Sequence, residues 1–495
     1  MVMAESHLPL FFALVAVALS VFYYVFTQYR RLPPFPVVNA YRNDFNRAKA
    51  HHEYQTRARE LVSTGLAQHH GRPFTIITPN GPKVILSSAL SDWVKNNKDL
   101  DHPALVRDDF LAGYSGFNAQ TVLHEGSQVV NLIKSKLSKN ETHISVMNTH
   151  ITGVLDQSWG ADQSWHSIDW QKDTTSLISH AAASVFVGPH LAKNPEWQSL
   201  TNKYVMNYFT ALGQIREWPA PLWPVAHLFN PLSRTCRHDM KRARIMITEE
   251  LRRRKSEETH STLPYNDTIE WLSAAAGEKP IDLGAMQLAL AIAALFTTSE
   301  ALRQTILEIC KHTDIVSPLR NEVEEAIAQH GWTTAALIKM RLMDSVMKEA
   351  QRTLPASVGL ERKALRDTMM PDGVKIPAGT HIAVDASLMW SPEVYASPET
   401  FDARRYLDLR EKTGSPAHAF TATSKEHITF GQGRSVCPGR FFAETDMKLC
   451  LAQILLKYDF RLEETYKSTS IVMGFYPVVD PFVKVEVRRR NASRI

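Results

Sequence analysis

In FGQGRSVCPGRFFAE, residues 430–444, a single cysteine is held in a tightly constrained stretch of backbone. Gly431 and Gly433 precede Cys437, and Pro438 and Gly439 follow it. Proline suits the first turn of a helix, and Met447, Leu451, Ile454, Leu455 and Tyr458 then recur at helical intervals. The spacing predicts Cys437 at the mouth of a helix with one buried face. Unpaired backbone N–H groups and the helix dipole gather at such a point, and both stabilise negative charge on sulfur. The glycines permit turns and close approach. These are the needs of a thiolate metal ligand, which wants electropositive surroundings and room for a flat cofactor beside the backbone. A core position is the commoner fate of one thiol, but it does not explain two glycines, an aromatic and a Pro-Gly at these offsets. Cys236, Cys310 and Cys450 supply no C-x-x-C pair, which argues against zinc or a redox dithiol. Four scattered cysteines form no disulfide framework, and a reducing compartment is expected.

Two other stretches carry groups with chemical potential. KEAQR places Glu349 and Arg352 at i and i+3, on one face of a helix, and by themselves they read as an ordinary surface pair. LALAIAALFTTSEALRQTILEI, residues 288–309, is apolar nearly all round at its start, as a helix through the middle of a core should be. Thr297 and Thr298 put hydroxyls into it.

Together these stretches resemble the cytochrome P-450 family. Its heme-binding loop follows F-x-x-G-x-x-x-C-x-G, matched at Phe430, Gly433, Cys437 and Gly439, and CPGRFFAE is close to fungal members that work in natural-product pathways. The resemblance implies heme b as cofactor, with Cys437 as the thiolate ligand of its iron. The family usually places Arg or His two residues before the cysteine to hold a heme propionate. Here Ser435 stands there, and the neighbouring Arg434 is the expected substitute. KEAQR resembles the family's E-x-x-R pair, which locks to a downstream arginine. FDARRY, residues 401–406, puts Arg405 in that place, so Glu349, Arg352 and Arg405 are expected to form a structural network holding the cysteine loop. The central helix resembles the one whose A-G-x-[D/E]-T motif lies over the distal heme face, matched here by Ala293, Ala294, Leu295, Phe296 and Thr297, with Thr298 next. A hydroxyl there can bond dioxygen or the water that delivers protons. Phe296 occupies the usual acid position and carries no proton. Glu300, one turn on, is the candidate replacement.

Behind these residues stands a chain of 495 residues with ordinary apolar and charged fractions and a net charge of +5. No broad basic block suggests nucleic acid as a partner. Leu8–Phe26 lacks charge and is long enough to cross a bilayer. Tyr23, Tyr24 and Tyr29 with Arg30 and Arg31 at its far end predict an uncleaved anchor with the body in the cytosol. Residues 1–29 are read as this anchor, 30–36 as a basic, proline-rich hinge, and 37–495 as one heme-thiolate catalytic domain. Strand character at 73–88, with a turn at Asn80-Gly81, and again at 372–385 and near the C-terminus, joins a mainly helical remainder. The expected architecture is therefore mainly α with minor β, a single-domain cytochrome P-450 fold behind an N-terminal transmembrane helix. REWPAPLWPVAHLFNP, residues 216–231, is rich in aromatics and proline, and beside an anchor it is expected to dip into the membrane interface.

The resemblance implies a single-pass protein of the endoplasmic reticulum membrane. It is expected to take electrons from an NADPH-cytochrome reductase, with cytochrome b5 as a second donor, and to monooxygenate a lipophilic secondary metabolite such as a terpenoid, meroterpenoid, polyketide or alkaloid. Phe296 keeps open a second chemistry on the same heme, namely desaturation, rearrangement or oxygen-independent isomerisation. A heme sensor without turnover is the third reading.

Overall fold

Helical periodicity through most of the chain becomes a stack of long helices, and the shorter alternating stretches become small sheets beside them. The computed structural model describes residues 12, 16, 20, 23 and 32–491, other than 45, 125–126, 138–140, 258–264, 276–280 and 467–469. The apolar segment Leu8–Phe26 lies outside the described residues apart from Phe12, Ala16, Ser20 and Tyr23, which are helical and exposed.

The helices that matter for the site are α1 (Ala48–His69), α2 (Glu141–Ser158), α3 (Trp170–Phe186), α4 (Pro195–Arg216), α5 (Pro231–Glu257), α6 (Leu283–Lys311), α7 (Arg341–Thr353) and α8 (Arg440–Lys457). The strands are β1 (Phe74–Thr78), β2 (Gly81–Leu86), β3 (Val358–Ala364), β4 (His381–Asp385), β5 (Ser470–Met473) and β6 (Tyr476–Val479). A five-stranded sheet runs in the order β1–β2–β4–β3, with the short strand Leu100–Asp101 on the edge. β2 and β4 pair in parallel although some three hundred residues separate them. The two-residue loop between β1 and β2 is Pro79-Asn80, one position before the expected turn. Gly81 opens β2 opposite Thr78 with φ +105°, a conformation in which glycine has no steric cost. Pro36 and Val38 exchange backbone hydrogen bonds with Thr75, so the proline-rich hinge ends docked on the edge of β1.

α6 is the axis of the molecule. Asp282 caps it by accepting from the Ala285 N–H, and its length is flanked by α3, α4, α5, α7 and α8. Because its sequence is apolar on every side, it can be packed on every side. Among the described residues it is the one helix long and apolar enough to cross a membrane, yet its residues belong to the main hydrophobic core. Between Gly284 and Ser299 the burial is broken only at Ala293, Ala294, Phe296 and Thr297. That interruption fixes where the site lies.

Candidate active site

The cysteine loop begins with two turns that require glycine. Gly431 and Gly433 have φ +69° and +64°, values that penalise any side chain. At Gly433 a Cβ would also come within 2.9 Å of the Lys95 carbonyl. The short helical turn Gly433–Ser435 therefore sits flush on helix Ser91–Asn96. The Cys437 N–H donates to the Phe430 carbonyl at 2.8 Å and closes the loop. α8 starts at Arg440 with Gly439 as its cap, so Cys437 stands three residues ahead of the first helical residue. Gly439 differs from the other two glycines. Its φ is an ordinary −91°, and no protein atom lies within 4 Å of where a Cβ would project. Its lack of a side chain keeps space beside the sulfur, and the backbone conformation does not demand it.

The Cys437 thiol is pushed up by burial. Backbone N–H groups of Gly439 and Arg440, and the Arg440 charge, pull the other way. Helix-end donors thus aim at the sulfur as the sequence suggests, but alone they do not overcome desolvation. A bound cation would complete the stabilisation of the thiolate.

Arg434 does not project freely. Its Nη2 donates to the Asn97 carbonyl at 2.8 Å. Close by is Arg362 of β3, which sequence reasoning did not single out. It is buried, and the hydrogen bond its guanidinium makes among the described residues is to the Glu361 carbonyl at 2.7 Å. Burial, with the Arg434 charge adding to it, brings Arg362 down to about 10 against the pull of Asp101 and Glu361. Arg434 is exposed and its charge is felt by the buried Arg362, a like-charge influence that an anion between them would relieve. The donor set therefore fits heme b: a sulfur held by N–H groups, open space at Gly439, an uncovered strip of core helix, and two arginines suited to carboxylates. Arg362 was hidden because burial alternates straight through β3 and puts this charged side chain at an inward position between Leu360 and Ala364, where strand reading expects an apolar one.

On the other side, Thr297 is exposed and its Oγ1 donates to the Ala293 carbonyl at 2.8 Å. Thr298 is buried. Phe296 is 41% exposed, and its ring meets Phe209 of α4 at 5.9 Å, which in turn meets Phe110 at 6.1 Å. An aromatic wall thus lines the strip. Glu300 is not available as a proton carrier. Arg303 donates to its Oε1, and the Val479 N–H donates to Oε2 at 3.0 Å.

Glu349, Arg352 and Arg405 come together, and among the described residues their hydrogen bonds outside the trio go to the segment 389–402 and not to the cysteine loop they were expected to hold. Arg352 reaches both Glu349 oxygens, at 2.6 and 2.8 Å, and Arg405 Nε reaches Oε1 at 2.9 Å. The Glu349 and Arg352 side chains are wholly buried. Carbonyls of Pro398 and Thr400 and the Asp402 N–H take up their remaining hydrogen-bonding capacity, which is the condition for burying such charges.

A single cysteine sulfur stands at the mouth of a buried helix, and the core helix α6 carries an uncovered strip. The chain belongs to the cytochrome P450 family. The family model for Cytochrome P450 matches residues 130–476. The cytochrome P450 monooxygenase adrA of Penicillium rubens is 33% identical, over 93% of this chain and 93% of its own. The cytochrome P450 monooxygenase ntnM of Nectria sp is 32% identical, over 94% and 90%. In fold the chain is similar to the retinoic acid-bound cyanobacterial CYP120A1, with a TM-score of 0.66 over 93% of this chain and all of that one, at 19% identity. Its cofactor is heme, and it is a heme-thiolate monooxygenase. Phe209, Phe110 and Arg362 completed the site only once the chain was folded.

Proposed function

We propose that the protein is anchored in the endoplasmic reticulum membrane by residues 1–29, with 30–36 as hinge and 37–495 as catalytic domain. It oxidises a neutral, lipophilic natural product of the terpenoid, meroterpenoid, polyketide or alkaloid kind. Heme supplies the activation of dioxygen, and the residues position and protect that chemistry. Cys437 would hold the heme iron through its sulfur, Phe430, Gly433 and Gly439 would shape its loop, and Arg434 and Arg362 would hold the propionates. Glu349, Arg352 and Arg405 hold the segment beneath. Phe296, Phe209 and Phe110 receive an apolar substrate and exclude water. Thr297 offers its hydroxyl oxygen to water beside the strip, and Thr298 supports that turn of the helix. Electrons come from an NADPH-cytochrome reductase, with cytochrome b5 as a second donor. The observation that carries this reading is the uncovered strip Ala293–Phe296–Thr297, walled by aromatic rings, in an otherwise buried helix.

A second reading is favoured by Phe296 in the acid position together with Glu300 bound to Arg303 and Val479. Without a side-chain proton carrier on that face, rearrangement or oxygen-independent isomerisation is less handicapped than oxygen insertion, while desaturation, which sends both oxygen atoms to water, would take its protons from solvent. The gene is deleted in its producer and the accumulating compound is isolated. That compound is then given to the purified protein with reductase, NADPH and 18O2. Product carrying 18O supports monooxygenation. Unlabelled product overturns it in favour of the second reading, as desaturation where reductase is required and as rearrangement or isomerisation where it is not.

A further inference from the structure

α7 does more than present Glu349 and Arg352. Asp344, Ser345, Lys348, Glu349 and Arg352 are all buried, each at 2% exposure or less. Their spacing of one, three and four residues puts them on one face. Each grips a different part of the chain between Met389 and Ala422, which includes the short helix Arg405–Thr413. Arg352 takes carbonyls at 398 and 400, and Glu349 takes the 402 N–H and Arg405. Ser345 Oγ accepts from the N–H groups of Tyr406 and Leu407, both at 3.1 Å. Lys348 Nζ donates to the carbonyls of Ala419 and Ala422, both at 2.8 Å. Asp344 accepts from the Phe420 N–H and from Arg410, both at 2.9 Å.

The last two grips enclose one residue. Phe420 has its own N–H on Asp344 and a Lys348-bound carbonyl on either side. Its wholly buried ring stands edge-on to Phe430 at 5.3 Å and 87°, and the Phe430 carbonyl receives the Cys437 N–H. A continuous path of short contacts therefore leads from Lys348 to the backbone of the cysteine.

We propose that Lys348 is a positioning residue for the cysteine loop, acting through the 419–422 turn and the Phe420–Phe430 contact independently of the Glu349–Arg352–Arg405 network. This rests on the reading of Cys437 as axial ligand. Removing the ammonium takes the Lys348 donor from the half-buried Ala422 carbonyl and leaves the Ala419 carbonyl with the Ala422 N–H alone. The turn then relaxes, and Phe430 loses the ring that fixes it.

The test uses the full chain reconstituted with heme, as wild type, Lys348→Met, Phe420→Ala and Cys437→Ser. Reduced-carbon-monoxide spectra, the midpoint potential and the rate of heme transfer to a scavenger globin are recorded. Lys348→Met is expected to shift a large share of the protein from the thiolate to the neutral-thiol band and to move the potential. It is also expected to lose heme about tenfold faster, the scale of an outer-shell lesion. Phe420→Ala, which leaves no donor or acceptor unpaired, is expected to do the same and to settle the matter should Lys348→Met not fold. A Phe420→Ala protein with wild-type band ratio, potential and heme retention overturns the proposal, as does a folded Lys348→Met protein with those properties. A Cys437→Ser protein that keeps the thiolate band overturns the axial reading instead, so the two failures are distinguishable.

Discussion

At the level of single residues, the glycines of the cysteine loop divide into two kinds that the motif does not separate. Gly433 is needed by the chain itself, through its positive φ and its contact with the Lys95 carbonyl. Gly433→Ala is expected to cost about 1–2 kcal/mol for the left-handed backbone alone, seen as a lower thermal midpoint even without heme. Gly439 has neither constraint, so Gly439→Ala is expected to leave the heme-free midpoint unchanged and to reduce heme uptake. Equal effects of the two variants on the heme-free protein would contradict this division. Phe296 makes a second residue-scale prediction. Phe296→Asp places a carboxylate one position before Thr297 and removes a ring from the wall. If the chemistry is oxygen insertion, product formed per NADPH rises and peroxide falls. Substrate affinity drops by about tenfold, as one lost aromatic contact implies. An unchanged product-to-peroxide ratio would favour the second reading.

Elements explain why some of the site was legible in the sequence and some was not. The loop around Cys437 and the Glu349–Arg352 pair are local patterns, readable because every participant lies within a few residues of the next. Arg405 was readable only through the family pattern of FDARRY. Lys348, Ser345 and Asp344 escaped notice because their partners, in the short helix Arg405–Thr413 and the turn at 419–422, lie some sixty to seventy residues downstream, beyond any local pattern. Arg362 escaped because it is a charged residue at an inward position of a regularly alternating strand, where an apolar side chain is expected. The sheet was half legible: β1 and β2 follow from alternation and a turn, whereas the parallel pairing of β2 with β4 is a long-range event. Glu300 shows the opposite error, since azimuth on the helix pointed towards the site while Arg303 and Val479 claim its oxygens. The polar face of α7 also gives a pH prediction. Burial lowers Lys348 to about 7, with Arg410 adding to burial and Asp344 opposing it. Tyr406 and His427 also face it. A lysine with a folded pKa below its unfolded value of about 10.4 is protonated more in the unfolded chain between those limits. Its contribution to stability therefore grows as pH rises from 7 towards 10 and is lost as pH falls. The difference in thermal midpoint between wild type and Lys348→Met should shift in favour of wild type from pH 7 to pH 9. A shift the other way would show that the ammonium is not held down by burial.

Over the whole molecule, the aromatic wall connects to the surface through one clasp. Tyr204 and Tyr208 of α4 donate to the carbonyls of Gly116 and Phe110 at 2.8 and 2.6 Å, and His227 Nε2 lies 3.0 Å from the Ser115 carbonyl. Arg216 donates to the Asp109 carbonyl. The loop carrying Phe110 is thus bound to α4 and to helix Trp223–Phe229, and that helix exposes Val225, Leu228 and Phe229 beside Trp218, by 53–70%. Large apolar side chains grouped in this way mark an interface. An anchor in the membrane would bring them against lipid, where a lipophilic substrate is concentrated. Position on the bilayer and access to the wall then depend on the same short helix. Leu228→Glu with Phe229→Glu should leave heme spectra and substrate affinity in detergent unchanged, because neither residue belongs to the core cluster. In vesicles the same variant should bind lipid-partitioned substrate about tenfold more weakly, since burying two such side chains is worth roughly 3–6 kcal/mol, most of which is recovered by the anchor. Spectral titration of full-length protein in both media gives the two affinities directly. Equal weakening in detergent and vesicles would mean that these residues shape the clasp itself and have no part in meeting a membrane.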